Sequence, residues 1–425
     1  MRRLLAILLW ALLPTVLAAQ APTGFTVRAD AAPCLNIRPR PESDATAFAC
    51  LPPGTQVEGV GTAPYWRQVR LADGRIGWAA KKYLEAAAMA AGPPAAATDR
   101  DDAWLEIHVV DVGQGDGIWI HTFDDNVPGN GIYEGLNIVI DGGPNSADAS
   151  NEFLKYLLER AHPGAVIDAM IITHPHSDHY PGAKGILRHF DVRQFYDSGY
   201  PSGLLDWPKF MALVDSETVE GQPIVKHIGR ASFGTPGWGS ELEIRFLYAY
   251  PGVSDGLGSG NTLENNASIV LRIVYGSQSI LLMGDAEGKD RGDGAAVPRY
   301  VERWLLDSVG AGGLHSTVLK IAHHGSETSS TTPFIEAVDP DFVVVSSGRK
   351  SFSGTFLPDA TTLQRYCTHK TSTRIYRTDQ DDAAEGRTAA TDADGDHVII
   401  RTNGKMTTIE AFSGGQAINQ TNCVA

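Results

Sequence analysis

Three imidazoles and a carboxylate fall within one six-residue window, His174-Pro-His176-Ser-Asp178-His179, directly after the apolar run Ala169-Met-Ile-Ile-Thr173. Only 13 of the 425 residues are histidine, so a polar surface turn is a poor account of that density. The apolar run predicts a buried strand, and a chain leaving a strand can aim alternate side chains at one point. Imidazole and carboxylate together suit zinc and similar divalent ions. A fold that accepts this window must bury strands that deliver it to a metal.

Four further signals sit where predicted strands end: Asp111-Val-Gly-Gln-Gly-Asp116, Val139-Ile-Asp141-Gly-Gly143, Leu281-Leu-Met-Gly-Asp285 and Leu319-Lys-Ile-Ala-His323-His324-Gly-Ser326. Each alone is weak, because strands often end in Asp or Gly for the needs of the turn. Their joint occurrence with the histidine window is specific. Strands are expected at Leu105–Asp111, Ile118–His121, Asn137–Ile140, Ala169–Thr173, Glu243–Leu247, Ser268–Val274, Ser279–Met283, Thr317–Ile321, Phe342–Ser346 and His397–Arg401. Helices are expected at Asn151–Arg160, Pro298–Leu306 and Thr361–Cys367. Meander-like strands followed by strands alternating with helices predict two sheets with helices outside, an α/β class.

The rest of the chain sets the context. Residues 1–21 read as a secretory signal: Arg2 and Arg3, the apolar stretch Leu4–Leu13, then small residues at a cleavage site. No later stretch approaches the roughly twenty apolar residues of a membrane span. A periplasmic or secreted protein is therefore expected. Four cysteines agree with an oxidising compartment; Cys34 with Cys50 and Cys367 with Cys423 is the simplest of three connectivities. Residues 22–85 alternate between apolar and polar in short runs such as Gln56–Val60 and Trp66–Arg70, separated by turn signals at Pro52-Pro53-Gly54, Thr62-Ala-Pro64 and Asp73-Gly74. Residues 86–102, rich in Ala, Pro and Gly, read as a linker to a domain over 103–425. A net charge of −15 disfavours tight binding of duplex nucleic acid, where Lys and Arg supply most of the affinity.

With Leu35-Asn-Ile-Arg38, Gly54-Thr55, Trp66, Gly77-Trp78 and Tyr83-Leu84, the first segment resembles a bacterial SH3-like barrel, a module that binds cell-wall or protein ligands. The histidine window resembles the His-x-His-x-Asp-His hallmark of the metallo-β-lactamase fold superfamily. Together with Asp111–Asp116, Asn265-Asn-Ala-Ser-Ile-Val270, Gly284-Asp285 and Ala322-His-His-Gly-Ser326, the second segment resembles the hydrolase domain of ComEC-type DNA-uptake competence proteins. That resemblance implies an αββα sandwich with two divalent metals, zinc in the first instance and Mn or Fe as alternatives. His174 and His176 would bind one metal, Asp178 and His179 the other, with Asp285 bridging. His324 is the expected later ligand and His323 a catalytic group beside Asp178, although the two neighbours could exchange roles. Asp141 and Asp116 are expected to orient ligands, and Asn266 and Ser326 to face substrate.

Two departures from the family pattern stand out. The interval before Asp285 holds only His189 and His227, neither in a motif, and Leu357-Pro358 stands where competence-type relatives carry His-Pro. The acidic segment Asp379–Asp396 lacks the distal Glu of an EF-hand and is expected to be a solvated hairpin or loop. The implied activity is hydrolysis by a metal-held hydroxide of a small phosphodiester or single-stranded nucleic acid. The competing expectations are ester, lactone or phosphorylcholine hydrolysis, and a non-catalytic envelope-binding protein stabilised by metal.

Overall fold

The computed structural model describes residues 23–40, 43, 47–62, 65–71, 76–87, 104–123, 135–161, 165–219, 221–239, 241–352, 354–380, 382, 386, 393–413 and 416–418. The expected signal segment, most of the expected linker and Cys423 lie outside them. The chain divides into two compact units, Met1–Pro94 and Ala95–Ala425.

The first unit is a five-stranded antiparallel sheet in the order Ile76–Ala80, Trp66–Arg70, Gln56–Thr62, Thr23–Val27, Leu84–Ala87. A separate hairpin pairs Leu35–Ile37 with Ala49–Leu51. Inward-facing Val27, Leu35, Ile37, Val57 and Val69 form its core. A core this small gains from a staple, and the Cys34–Cys50 disulfide joins the hairpin region across 16 residues.

The second unit stacks two sheets between two helical layers. One sheet has nine strands, ordered Val225–Ile228, Gln194–Asp197, Ala169–Ile172, Asn137–Ile140, Ile118–His121, Leu105–Val109, Val398–Thr402, Thr407–Ser413, Gln416–Ile418. The other has six, ordered Leu242–Tyr248, Val270–Tyr275, Gln278–Leu282, Val318–Lys320, Phe342–Val345, Arg374–Arg377. Parallel pairing at one end of each sheet requires crossovers, and helices supply them.

Alternation of side chains explains why these strands read as unbroken apolar runs. Ala169 and Ile171 face the core between the sheets, while Met170 and Ile172 pack under Glu152–Arg160, Ala183–His189 and Trp207–Ser216. Ile280 and Leu282 likewise face inward, while Leu281 packs under Tyr300–Ser308 and Thr332–Val338. Strands buried on both faces need apolar residues at every position. All ten expected strands are present within two residues at each end, and Asn151 caps the first helix by accepting from the Leu154 N–H at 2.9 Å.

The described ends of the acidic segment are less solvated than expected; residues 381, 383–385 and 387–392 lie outside the described residues. Asp379 and Asp396 are buried, and one oxygen of Asp111 accepts the backbone N–H groups of Asp394, Gly395 and Asp396. The Asp111 backbone N–H donates in turn to His397 Nδ1 at 3.0 Å. A solvated loop would not need these partners; this one is tied to the strand that opens the unit.

Burial, with the Arg160 and His108 charges nearby, pushes the His397 imidazole down to about 4. The unfolded chain binds that proton below pH about 6.5. Stability present above about pH 6.5 should therefore be lost as pH falls towards 4. In urea unfolding, His397→Gln should lose less stability than the wild type over that window; equal losses would show that His397 does not drive the acid limb.

Candidate metal centre

Four strand ends meet at one edge of the sandwich. Asn137–Ile140 runs into Asp141, Ala169–Ile172 into the histidine window, Gln278–Leu282 into Asp285, and Val318–Lys320 into His323 and His324. Sharp exits put the ligand-type groups there. Asp141 (φ 59°), His323 (φ 48°) and His324 (φ 50°) all adopt left-handed backbone conformations, which cost non-glycine residues energy and gather at functional sites. Gly115 (φ 143°) lies so close to the Asp178 carbonyl that a Cβ there would collide with it.

The imidazoles are clamped from behind. His179 Nδ1 donates to Asp141 Oδ2 at 2.8 Å, and His324 Nδ1 donates to the Ser346 carbonyl at 2.8 Å. His174 Nδ1 has oxygen acceptors in Thr173 Oγ1 at 3.2 Å and Ser268 Oγ at 3.3 Å. A proton fixed on each Nδ1 leaves the Nε2 lone pair facing the centre. His176 is held the other way: its Nε2 donates to Glu264 Oε2 at 2.8 Å, and its Nδ1 lies 3.0 Å from His174 Nε2. Asp285 is fixed through its backbone N–H, which donates to Ser268 Oγ at 2.9 Å.

The converging atoms are buried, and three of them have no hydrogen-bond partner: His179 Nε2, His324 Nε2 and Asp285 Oδ1. Asp285 Oδ2 is 3.3 Å from both Nε2 atoms and 3.9 Å from His174 Nε2. Asp178 Oδ1 lies 3.9 Å from His179 Nε2, and its Oδ2 lies 3.6 Å from His324 Nε2. Ligands held about 2.0–2.2 Å from a tetrahedral ion lie about 3.3–3.6 Å apart; the separations of 3.3 and 3.6 Å fall in that range and those of 3.9 Å lie just beyond it. Among the described residues three overlapping triads share His179 here: His174 with His179 and Asp285, Asp178 with His179 and His324, and Asp116 with Asp141 and His179.

Electrostatics agrees with the chemistry of the donors. Burial opposes protonation of His324, yet the Asp285 and Asp178 carboxylates push it up to about 10. His179 is raised well above the usual histidine range against the same burial, by Asp285 and Asp141. Although burial opposes its ionisation, the His324 and His179 imidazoles hold the Asp178 carboxyl well below the ordinary range. A cluster that draws protons onto two buried imidazoles is built to receive positive charge.

Several expected residues have other duties. Asp116 orients no imidazole through a hydrogen bond; it forms an ion pair with the wholly buried Lys320, and its other oxygen is 3.6 Å from His324 Nδ1. Asn266, expected to face substrate, is not among the residues lining the cavity. It is fully buried, its side chain donating to the Leu257 carbonyl at 3.0 Å and accepting the Glu287 N–H at 2.8 Å. Its neighbour Asn265 lines the cavity instead. Ser326 lines that cavity and accepts from Arg291 at 3.0 Å. His189 bonds the Gly185 carbonyl and His227 stacks on Tyr196, so neither completes the ligand set. Leu357 presents an apolar side chain to the cavity.

The cavity is open and about 600 Å³ in volume, with Asp178, Asp285 and His324 among its lining. Two lining residues had no sequence signal of their own. Glu264 holds His176 at a separation of 88 residues, and Glu287 lies 3.1 Å from His323 Nδ1.

The family model for the metallo-beta-lactamase superfamily matches residues 132–349, a little over half of the 425. The chain belongs to this superfamily. ComE operon protein 3 of Bacillus subtilis is 24% identical over 298 residues, which cover 66% of this chain and 33% of that protein. Competence protein ComA of Neisseria gonorrhoeae is 40% identical over 88 residues, 21% of this chain and 11% of that protein. The chain thus spans a third or less of the length of these relatives. Among solved structures, the archaeal superfamily protein ST1585 of Sulfolobus tokodaii is 13% identical, covers 56% of this chain and 85% of its own, and gives a TM-score of 0.29. In this metallo-beta-lactamase-fold chain, two β-sheets meet where His174, His179, His324 and Asp285 converge.

Asp141→Asn would turn an amide N–H towards His179 Nδ1. It should weaken divalent-metal binding about ten- to hundredfold, the usual cost of losing such a supporting carboxylate. Equilibrium dialysis with elemental analysis checks this; unchanged affinity would remove Asp141 from the metal centre.

Proposed function

We propose that the second unit is a metal-dependent phosphodiesterase acting on a small phosphodiester or single-stranded nucleic acid outside the cytoplasm. The observation that carries the reading is the convergence of His179 Nε2, His324 Nε2 and Asp285 Oδ1, buried and unpartnered, at an open polar cavity. His174, His176 and Asp285 would hold one divalent ion, and Asp178, His179 and His324, again with Asp285, a second. Such ions lower the pKa of a coordinated water towards neutrality and neutralise charge developing on a phosphoryl oxygen.

The protein's own groups set position and protons. His323 lies at the cavity wall with Nδ1 near Glu287 Oε1 and Thr328 Oγ1, at 3.1 and 3.0 Å. That fixes the ring; Nε2, which lies 3.4 Å from Asn265 Nδ2, is the atom that would exchange a proton with a leaving oxygen. Asn265 braces the same carboxylate, donating to Glu287 Oε1 at 2.9 Å. The competence-type motifs and relatives favour a phosphodiester over an ester or lactone. The acidic balance favours a locally recognised substrate over duplex. The first unit we read as an SH3-like module presented to cell-wall or protein ligands.

Protein purified without added metal should carry about two divalent equivalents by elemental analysis; less than about one would sink the two-ion arrangement. Wild type should hydrolyse bis-p-nitrophenyl phosphate in preference to nitrocefin or a lactone. Asp178→Ala and His176→Ala should each cut that rate by about a hundredfold or more, with circular dichroism unchanged. Full activity in both variants would overturn the assignment.

A further inference from the structure

Almost every charged side chain lining the cavity is answered by a partner within the protein. Asp178 and Asp285 face His179 and His324. Glu264 is paired with His176, Glu287 with His323, and Arg291 with Asp359 at 2.9 Å. Lys350 is the exception. Among the described residues it has no carboxylate partner, and its ammonium lies 4.7 Å from the ring centroid of Phe352. Phe352 is 39% exposed and lines the same cavity. Both residues belong to a hairpin that pairs Ser351–Phe352 with Thr355–Phe356 and leads into Leu357, another cavity residue.

In a chain of net charge −15, where carboxylates outnumber basic groups by 50 to 35, the Lys350 ammonium is held by the Phe352 ring and by no carboxylate among the described residues. Its field would be felt most by an anion entering the cavity. An exposed aromatic beside it offers a face to a planar ring, and base stacking on such residues is tolerant of sequence. His179, His324 and Asp285 are buried at the base of the cavity, whereas Lys350 is half-buried and Phe352 exposed.

We propose that this hairpin is a substrate-selecting subsite. Lys350 takes a phosphate adjacent to the scissile one, and Phe352 stacks on the neighbouring base. The assignment rests on the phosphodiesterase reading and narrows it. The preferred substrate carries at least two phosphates and an aromatic base, as a single-stranded oligonucleotide does, and a lone phosphodiester is a poor substrate.

Two measurements test this. The first compares kcat/KM for d(TpT) and d(TpTpT). Wild type should gain about tenfold from the added phosphate, mainly through KM. Lys350→Ala should lose most of that gain and Lys350→Arg should keep it. The second follows fluorescence anisotropy of fluorescein-labelled (dT)6 in an Asp178→Ala background. Adding Lys350→Ala should weaken binding about tenfold and reduce the salt slope by about 0.7, the value of one single-strand phosphate contact. Adding Phe352→Leu should weaken binding about tenfold through loss of stacking.

Equal kcat/KM for the two nucleotides in wild type overturns the subsite while leaving phosphodiesterase activity intact. So does binding of (dT)6 that is absent or indifferent to both substitutions. Lys350-dependent binding without hydrolysis of any phosphodiester would overturn the functional reading and leave the subsite standing.

Discussion

The Asp141 carboxylate ties the centre to the fold. It ends one strand, accepts both the backbone N–H and the hydroxyl of Thr173 at the end of the next, and holds His179 Nδ1. Two parallel strands and the histidine loop therefore share one fully buried anion. Because a buried acceptor left unmet is costly, each of these partners holds the others in place. Gly142, next in the chain, lets the helix beginning at Ala183 approach so closely that any side chain would strike its first turn. The rigidity of the histidine window comes from what stands behind it.

The same logic gives the site its charge. Supporting contacts fix protons on Nδ1 of His179 and His324, so their lone pairs converge on the Asp178 and Asp285 carboxylates. The field this creates is answered either by protons on the imidazoles or by cations. Over this acidic floor the cavity wall carries Arg291, tied to Asp359, and Lys350, tied to no carboxylate among the described residues. In the proposed reading, Lys350 would select an anion at the wall while Asp178 and Asp285 hold the charge at the base.

Much of this was legible in the sequence for a definite reason. Strands covered on both faces need apolar residues throughout, so Ala169–Ile172 and Phe342–Val345 announce themselves, and the polar groups just beyond them mark one sheet edge. Gln194–Asp197 and Arg374–Arg377 escaped because Gln, Asp and Arg interrupt their short runs. The helix Trp207–Ser216 carries a start signal in Asp206 and Pro208, but the Asp206 side chain pairs with Lys184 and does not cap it. At the site, ligand-type residues were visible but their tautomers and supports were not. Glu264, which turns His176 to present Nδ1, lies 88 residues away. The exchange of Asn266 for Asn265 is a matter of one residue at the end of the short helix Asn261–Asn265, which no periodicity could resolve.

The buried pair of Asp116 and Lys320 bears on where this domain can be cut. Asp116 follows the strand Leu105–Val109, which pairs with Val398–Thr402, and both strands lie outside the span 132–349 that the family model matches. Lys320 lies within it, wholly buried. A fragment trimmed to the matched span would keep the ammonium and discard its counter-ion, leaving an uncompensated charge in the core, a defect worth several kcal/mol. A piece that keeps Lys320 compensated must reach back at least to Asp116, whatever a sequence match marks as its edge.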